Sequence, residues 1–249
     1  MKHFLLIIPF VLLLWSCRNE ATQQAATQDT LQMQPGSEKP LVEKVLTKEE
    51  QAMLTPDTVL QMLKEGNSRF VNDNLTARLH SAQVRGAANG QYPKAVILSC
   101  LDSRIPVEDV FDKGIGDLFV ARIAGNIINE DILGSMEFGC KAMGSKLILV
   151  LGHTECGAIK GAIDNVQLGN LTALLAKIKP AVDSVQSFSG EKTSKNKDYV
   201  NAVTDENVKI ALDNIREHSE ILRDMEKNGE IKIVGAVYDM ATGNVTFMQ

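Results

Sequence analysis

The feature that most restricts what this chain can fold into is a pair of short apolar runs, Ala95-Val96-Ile97-Leu98 and Leu147-Ile148-Leu149-Val150-Leu151, each followed at once by a cysteine-containing motif. Runs that are apolar at every position, rather than every second, are those of strands buried on both faces of a parallel sheet. The motifs that follow are Cys100-Leu101-Asp102-Ser103-Arg104 and His153-Thr154-Glu155-Cys156. In an open α/β sheet the loops at the carboxyl ends of neighbouring strands converge, so the two motifs are predicted to meet in one place. Two thiolates, one imidazole and one carboxylate are ligand types that Zn²⁺ prefers. One Zn²⁺ per chain on Cys100, Asp102, His153 and Cys156 is therefore expected.

The rest of the pattern agrees with an alternating fold. Pro56-Asp57 followed by Val59, Leu60, Met62, Leu63, Phe70 and Val71 has helical spacing with a proline and an acid in the first turn. It predicts one or two N-terminal helices reaching about residue 88. Gly90 to Pro93 is read as a turn into a first strand over 94–99, with further strands over 118–122 and 146–151. Helices are expected over 130–143 and 155–164, a solvated loop over 188–199, and one long helix over 205–228 that stops at Asn228-Gly229. Strands over 231–238 and 245–247, joined by Ala241-Thr242-Gly243-Asn244, complete the pattern. The expected class is α/β: a mostly parallel central sheet flanked by helices, with an N-terminal helical arm and a C-terminal β-hairpin.

The first seventeen residues have a different character. Lys2 is followed by an uncharged apolar stretch from Phe4 to Trp15 and then Ser16-Cys17. That stretch is too short to span a bilayer, which takes about 20 residues, and reads as a signal peptide. Leu14-Trp15-Ser16-Cys17 resembles the lipobox of bacterial lipoproteins, which implies lipidation at Cys17 and a membrane partner through that anchor. Residues 18–48 are rich in Gln, Thr, Ala, Glu and Ser without an apolar period, and are expected to be a flexible linker. Residues 49–249 are expected to form the zinc domain. The localisation that follows is the periplasmic face of a bacterial membrane. The formal charge of −5, with no basic stripe carrying interleaved aromatics, argues against a nucleic-acid partner.

In an exported chain a Cys100 to Cys156 disulfide is the competing reading, but it leaves His153 and Asp102 unexplained. Cys140 is expected to be a small apolar residue within a helix. With all four residues on zinc the shell is closed, whereas three protein ligands leave a position for water. Arg104 offers Asp102 an alternative partner through a bidentate contact, which would open that position. Zinc-bound hydroxide could then form, with Asp102 accepting its hydrogen bond. Asp102 and Arg104 are accordingly the expected catalytic pair. Glu155 reads as a helix-start acid, His218 as a solvated side chain on a charged helix, and His80 as a residue near a helix end with no ligand spacing.

With those residues placed, the chain resembles the β-class carbonic anhydrases over essentially all of 56–249. The likeness lies in Cys-x-Asp-Ser-Arg at 100–104, Arg122-x-Ala-Gly-Asn126, Gly152-His153-x-x-Cys156-Gly157 and Gly235-Ala-Val-Tyr-Asp-x-x-Thr-Gly243. It implies reversible hydration of CO₂ to bicarbonate in a homodimer or tetramer, with the active site at the dimer interface. It also implies that Gln91 donates a hydrogen bond to substrate, that Phe119, Ala124 and Phe138 form an apolar wall, and that Gly157 lies beside the zinc cysteine. Some members have Val and Tyr in place of Ala124 and Phe138, so a slightly larger, less polar pocket is expected here. The same fold and zinc shell also occur in hydrolases of carbon disulfide or carbonyl sulfide. A non-catalytic zinc lipoprotein with Asp102 permanently ligated is the third possibility.

Overall fold

Where the chain leaves the sheet, and on which side it returns, is what builds the site. A computed structural model describes residues 44–248. The expected signal peptide, the lipobox Cys17 and most of the expected linker lie outside the described residues. Five strands, β1 (Ala95–Ser99), β2 (Leu118–Arg122), β3 (Leu147–His153), β4 (Lys232–Tyr238) and β5 (Val245–Phe247), form one sheet in the order β2-β1-β3-β4-β5. All pairings are parallel except β4 with β5, which is antiparallel. From β1 the chain goes outward to β2, then crosses back to β3 and on to β4. The connections from the adjacent strands β1 and β3 thus run in opposite directions, which opens a crevice at their carboxyl ends.

The β1 and β3 side chains are buried throughout, as expected from their unbroken apolar runs. Alternate residues go to opposite faces. Ala95, Ile97, Leu147, Leu149 and Leu151 pack with Val59, Leu63, Phe111, Ile159 and Tyr199, while Val96, Leu98, Ile148 and Val150 pack with Met136, Val208, Ile215 and Leu222. Each such fully buried aliphatic or aromatic side chain contributes about 1.5–3 kcal/mol.

The N-terminal arm comprises α1 (Lys48–Ala52), α2 (Pro56–Val71) and α3 (His80–Ala87). Ordered helix therefore begins ahead of Pro56: Thr47 and Glu50 form a reciprocal capping box on α1. Gly66 lets α2 sit directly on the chain at Phe111, whose carbonyl oxygen lies 1.8 Å from where a Cβ would be. Three short helices escaped the sequence pattern: α4 (Val107–Val110), α7 (Gly169–Ala176) and α8 (Lys179–Ser184). They are too short to show a helical period. Between them come α5 (Glu130–Glu137), which continues as a wider π turn through Phe138–Ala142, and α6 (Gly157–Ile163). Cys140 is buried in that π turn, where desolvation pushes its thiol up to about 12.

Two expectations about the later helices need correction. The helix expected over 205–228 is two, α9 (Lys197–His218) and α10 (Glu220–Lys227). Ser219 separates them: it has extended backbone angles, its hydroxyl accepts from Leu222 N–H, and it donates to Glu137 Oε1 at 2.5 Å. The loop expected to reach residue 199 ends at Asn196, whose side chain caps α9 by accepting from Asp198 and Tyr199 N–H. Tyr199 is buried against Phe188, with ring centroids 5.3 Å apart.

Candidate metal centre and active site

Register alone brings the two cysteine motifs together. Ser99 of β1 pairs with Leu151 of β3, so Cys100 leaves its strand beside Gly152 and His153. Cys156 follows one tight turn later, at the N-cap of α6, after Glu155 has taken a left-handed conformation at φ +58°. Ligand atoms of Cys100, His153 and Cys156 all lie within 4.8 Å of one another, and all three residues are buried.

The site satisfies three tests for a tetrahedral zinc ion. Two thiolates at the usual Zn–S distance stand about 3.8 Å apart in a tetrahedron; Cys100 Sγ and Cys156 Sγ are 3.9 Å apart, and both are free cysteines rather than a disulfide. His153 Nδ1 faces the Thr154 carbonyl at 2.9 Å. A carbonyl only accepts, so the proton sits on Nδ1 and Nε2 keeps a bare lone pair. That Nε2 is buried without a hydrogen-bond partner, a costly state for a polar atom unless a cation completes it.

The electrostatics point the same way. A hydrogen bond from Cys156 lowers the Cys100 thiol to about 4, against the effect of burial, and the Gly125 and Asp102 N–H groups act in the same direction. Cys156 is pushed up by its bond to Cys100 and by burial, although the Ile159 and Ala158 N–H groups at the start of α6 pull it back. One negative charge is thus shared across a buried sulfur pair, and a divalent cation is the natural replacement for the remaining proton.

Asp102, expected both as a zinc ligand and as half of a catalytic pair, stands in the second arrangement. It is not among the three clustered donors. Its Oδ1 accepts from Arg104 Nε at 2.9 Å and from the Arg104 backbone N–H at 3.0 Å, and its Oδ2 accepts from Arg104 Nη2 at 2.7 Å. That fork, chiefly the side-chain hydrogen bond, holds the carboxyl down at about 2 although partial burial opposes it. Of the two arrangements the sequence allowed, this is the one that leaves a fourth metal position for water.

Two further residues hold this geometry, and neither had a role in the sequence reading. The Arg122 guanidinium donates to the Cys100 carbonyl at 3.0 Å and to the Asp102 carbonyl, clamping both ends of the bend that exposes Leu101. Arg122 heads the Arg122-x-Ala-Gly-Asn126 motif quoted from the sequence, but what it does follows from its position opposite Ser99 at the end of β2. Asn207, from α9, donates to the Gly125 carbonyl at 2.9 Å, and Gly125 N–H donates to Cys100 Sγ at 3.3 Å. Glu155 is ion-paired with Lys160 and lies 3.9 Å from Lys197, as suits an acid at a helix start.

The expected substrate residues divide into two groups. Ala124 adjoins Gly125 in a short 3₁₀ turn next to Cys100, and Gly157 opens α6 beside Cys156, so both lie at the metal centre. Gln91, Phe119 and Phe138 do not reach it. Gln91 is exposed four residues before β1 begins, at the opposite end of the strand from Cys100. Phe119 pairs with Val96, near that same end, and Phe138 packs on Phe119 with ring centroids 6.1 Å apart. Four residue steps of strand separate Val96 from Cys100, about 13 Å.

A parallel sheet with a cluster of Cys100, His153 and Cys156 that could hold a metal ion at its topological switch point defines an α/β protein whose candidate site lies at strand ends. A family model described as carbonic anhydrase matches residues 95–245. Carbonic anhydrase 2 of Mycobacterium tuberculosis is 34% identical over 191 residues, covering 76% of this chain and 90% of its own. Two solved structures share the fold. The β-carbonic anhydrase of the fungal pathogen Aspergillus fumigatus has a TM-score of 0.60 at 24% identity, covering 78% of this chain and 90% of that one. A tetrameric β-carbonic anhydrase of Sordaria macrospora has a TM-score of 0.58 at 22% identity, covering 65% and 83%. The chain belongs to the carbonic anhydrase family, with the β-class fold, and is a lyase of that kind.

Proposed function

We propose that this chain interconverts CO₂ and bicarbonate at a zinc ion held by Cys100, His153 and Cys156. The observation that carries the reading is the pairing of Asp102 with Arg104 beside a buried donor set whose histidine nitrogen lacks a partner. Zinc bound there would supply a Lewis acid that makes water a nucleophile near neutral pH. The chain's own residues do the rest. Asp102, kept ionised by Arg104, accepts a hydrogen bond from the attacking water and aims its lone pair at the carbon of CO₂. Arg122 fixes the bend on which that carboxylate stands. Ala124 adds a small apolar surface suited to a substrate without charge or net dipole.

The working unit in this reading is a homodimer. β2 is an edge strand with half-buried side chains, and Phe138 beside it is 53% exposed. Gln91, Phe119 and Phe138 lie at the wrong end of the sheet for their own metal centre, so they line a pocket only when presented by a second copy. A two-fold axis at the β2 edge would bring opposite strand ends of the two copies together, as this arrangement requires. Export and lipidation at Cys17 complete the proposal, on the apolar stretch and the Leu-Trp-Ser-Cys sequence.

Stopped-flow CO₂ hydration by the full chain at about pH 8.5, before and after chelation and zinc readdition, tests the activity. Fast turnover that is lost and regained with zinc is expected. No turnover from fully zinc-loaded protein would reject the proposal.

A further inference from the structure

Asn207 is 4% exposed, on the face of α9 that also buries Val203, Thr204, Val208 and Ala211. A carboxamide there is unfavourable unless its hydrogen bonds are made. Thr204 solves the problem locally, donating to Val200 within the same helix. Asn207 instead sends its amide to Gly125, 82 residues away. Gly125 has φ +70°, and a Cβ on it would lie 2.5 Å from Ile178 Cδ1 and 3.3 Å from Ala158 Cβ, so only glycine fits. Glycine brings no steric preference of its own for the orientation of the two peptide groups beside it. That orientation has to be imposed from outside, and Asn207 holds the carbonyl while the N–H points at Cys100 Sγ, 3.3 Å away.

We propose that Asn207 is a positioning residue of the metal centre: by anchoring the Gly125 carbonyl it aims the Gly125 N–H at the Cys100 sulfur and thereby weakens that thiolate's donation to the metal. The inference rests on the reading of Cys100 as a metal ligand. An N–H bonded to a coordinated sulfur withdraws electron density from it, leaving the metal more electrophilic. Two thiolates neutralise most of the charge of a divalent ion, so such a correction matters more here than at an all-imidazole site.

The test replaces zinc with cobalt(II) in the full chain and reads the sulfur-to-cobalt charge-transfer band in wild type, Asn207→Leu, Asn207→Asp and Thr204→Val. Losing the amide donor raises the energy of the sulfur electrons, so the band should move to longer wavelength in both Asn207 variants. Thr204→Val, a change on the same buried helix face, should leave it in place. An unshifted band in a folded Asn207 variant, or an equal shift in Thr204→Val, overturns the proposal. Should the Asn207 variants not fold, ¹¹³Cd-loaded wild type decides: scalar coupling between the metal and the Gly125 amide proton is expected, and its absence overturns the proposal. Failure of the wild type to take up cobalt would instead reject the metal-site reading, and this inference with it.

Discussion

At the scale of single residues, the division of labour between Asp102 and Arg104 is open to direct test. Replacing Arg104 by Ala removes the fork but none of the three buried donors, so zinc should stay bound while kcat/KM falls by about 10²-fold or more. Asp102→Asn should do the same, because a carboxamide is a poorer hydrogen-bond acceptor than the carboxylate. Metal content measured alongside CO₂ hydration separates loss of chemistry from loss of zinc, and full activity in both variants would refute the pairing. Arg122 supports the same bend through backbone carbonyls. The clustering of Cys100, His153 and Cys156 was legible in the sequence because their chemistry is specific and each stands just beyond an apolar run. Asn207 was not, and Arg122 was only as part of the Arg122-x-Ala-Gly-Asn126 motif without its role, since an arginine at a strand end and an asparagine in a helix have many ordinary uses.

Among the elements, the N-terminal arm is fastened by one buried carboxylate. Asp112, fully buried, accepts from Thr76 N–H and hydroxyl, from Arg69 Nε at 2.6 Å and from Arg78 Nη2 at 2.8 Å. Burial alone would raise its pKa; the Thr76 hydroxyl, the two guanidiniums and the Thr76 N–H outweigh burial and bring it to about 2. A carboxyl depressed in the folded state stabilises fully above its unfolded pKa, about 4, and loses that contribution as pH falls towards 2. Asp112→Asn should cost about 3 kcal/mol at pH 6. The gap in urea midpoint between it and wild type should narrow between pH 4 and pH 2; a gap independent of pH would contradict the account. Ser219→Ala removes the cap of α10 and the bond to Glu137, and should lower stability by about 1–2 kcal/mol. Thermal melts check the loss, and activity at 25 °C should hold because Ser219 lies twelve residues beyond Asn207, about 18 Å along the helix from the residue that braces the centre. The helix pattern over 205–228 concealed this break, because Ser219 interrupts an apolar period that resumes at Leu222.

For the molecule as a whole, the proposed dimer makes each active site depend on both copies. Gln91→Ala and Cys100→Ala should each lower activity, for different reasons: one impairs the pocket of the second copy, the other impairs its own metal centre. Co-refolding the two should form mixed dimers with one intact site, so activity should exceed the sum of the separate variants. Activity equal to that sum would place Gln91 in its own chain's site or in none. In the proposed lipoprotein, the lipid on Cys17 is the membrane anchor. Cys17→Ser should move the chain from the membrane fraction to the soluble one, as fractionation followed by immunoblotting would show.

The sequence by itself determined the α/β alternation, the strand positions and which cysteines and histidine make up the candidate metal site, because these depend on local signals: unbroken apolar runs, helical periods and residue types with specific affinities. Only the tertiary structure decided that Asp102 turns to Arg104, that Arg122 and Asn207 brace the centre, and that Gln91, Phe119 and Phe138 lie far from their own cysteines. These are matters of strand register and of contacts between residues distant along the chain. A periodic pattern tells which face of an element is buried; it does not tell which partner that face will meet.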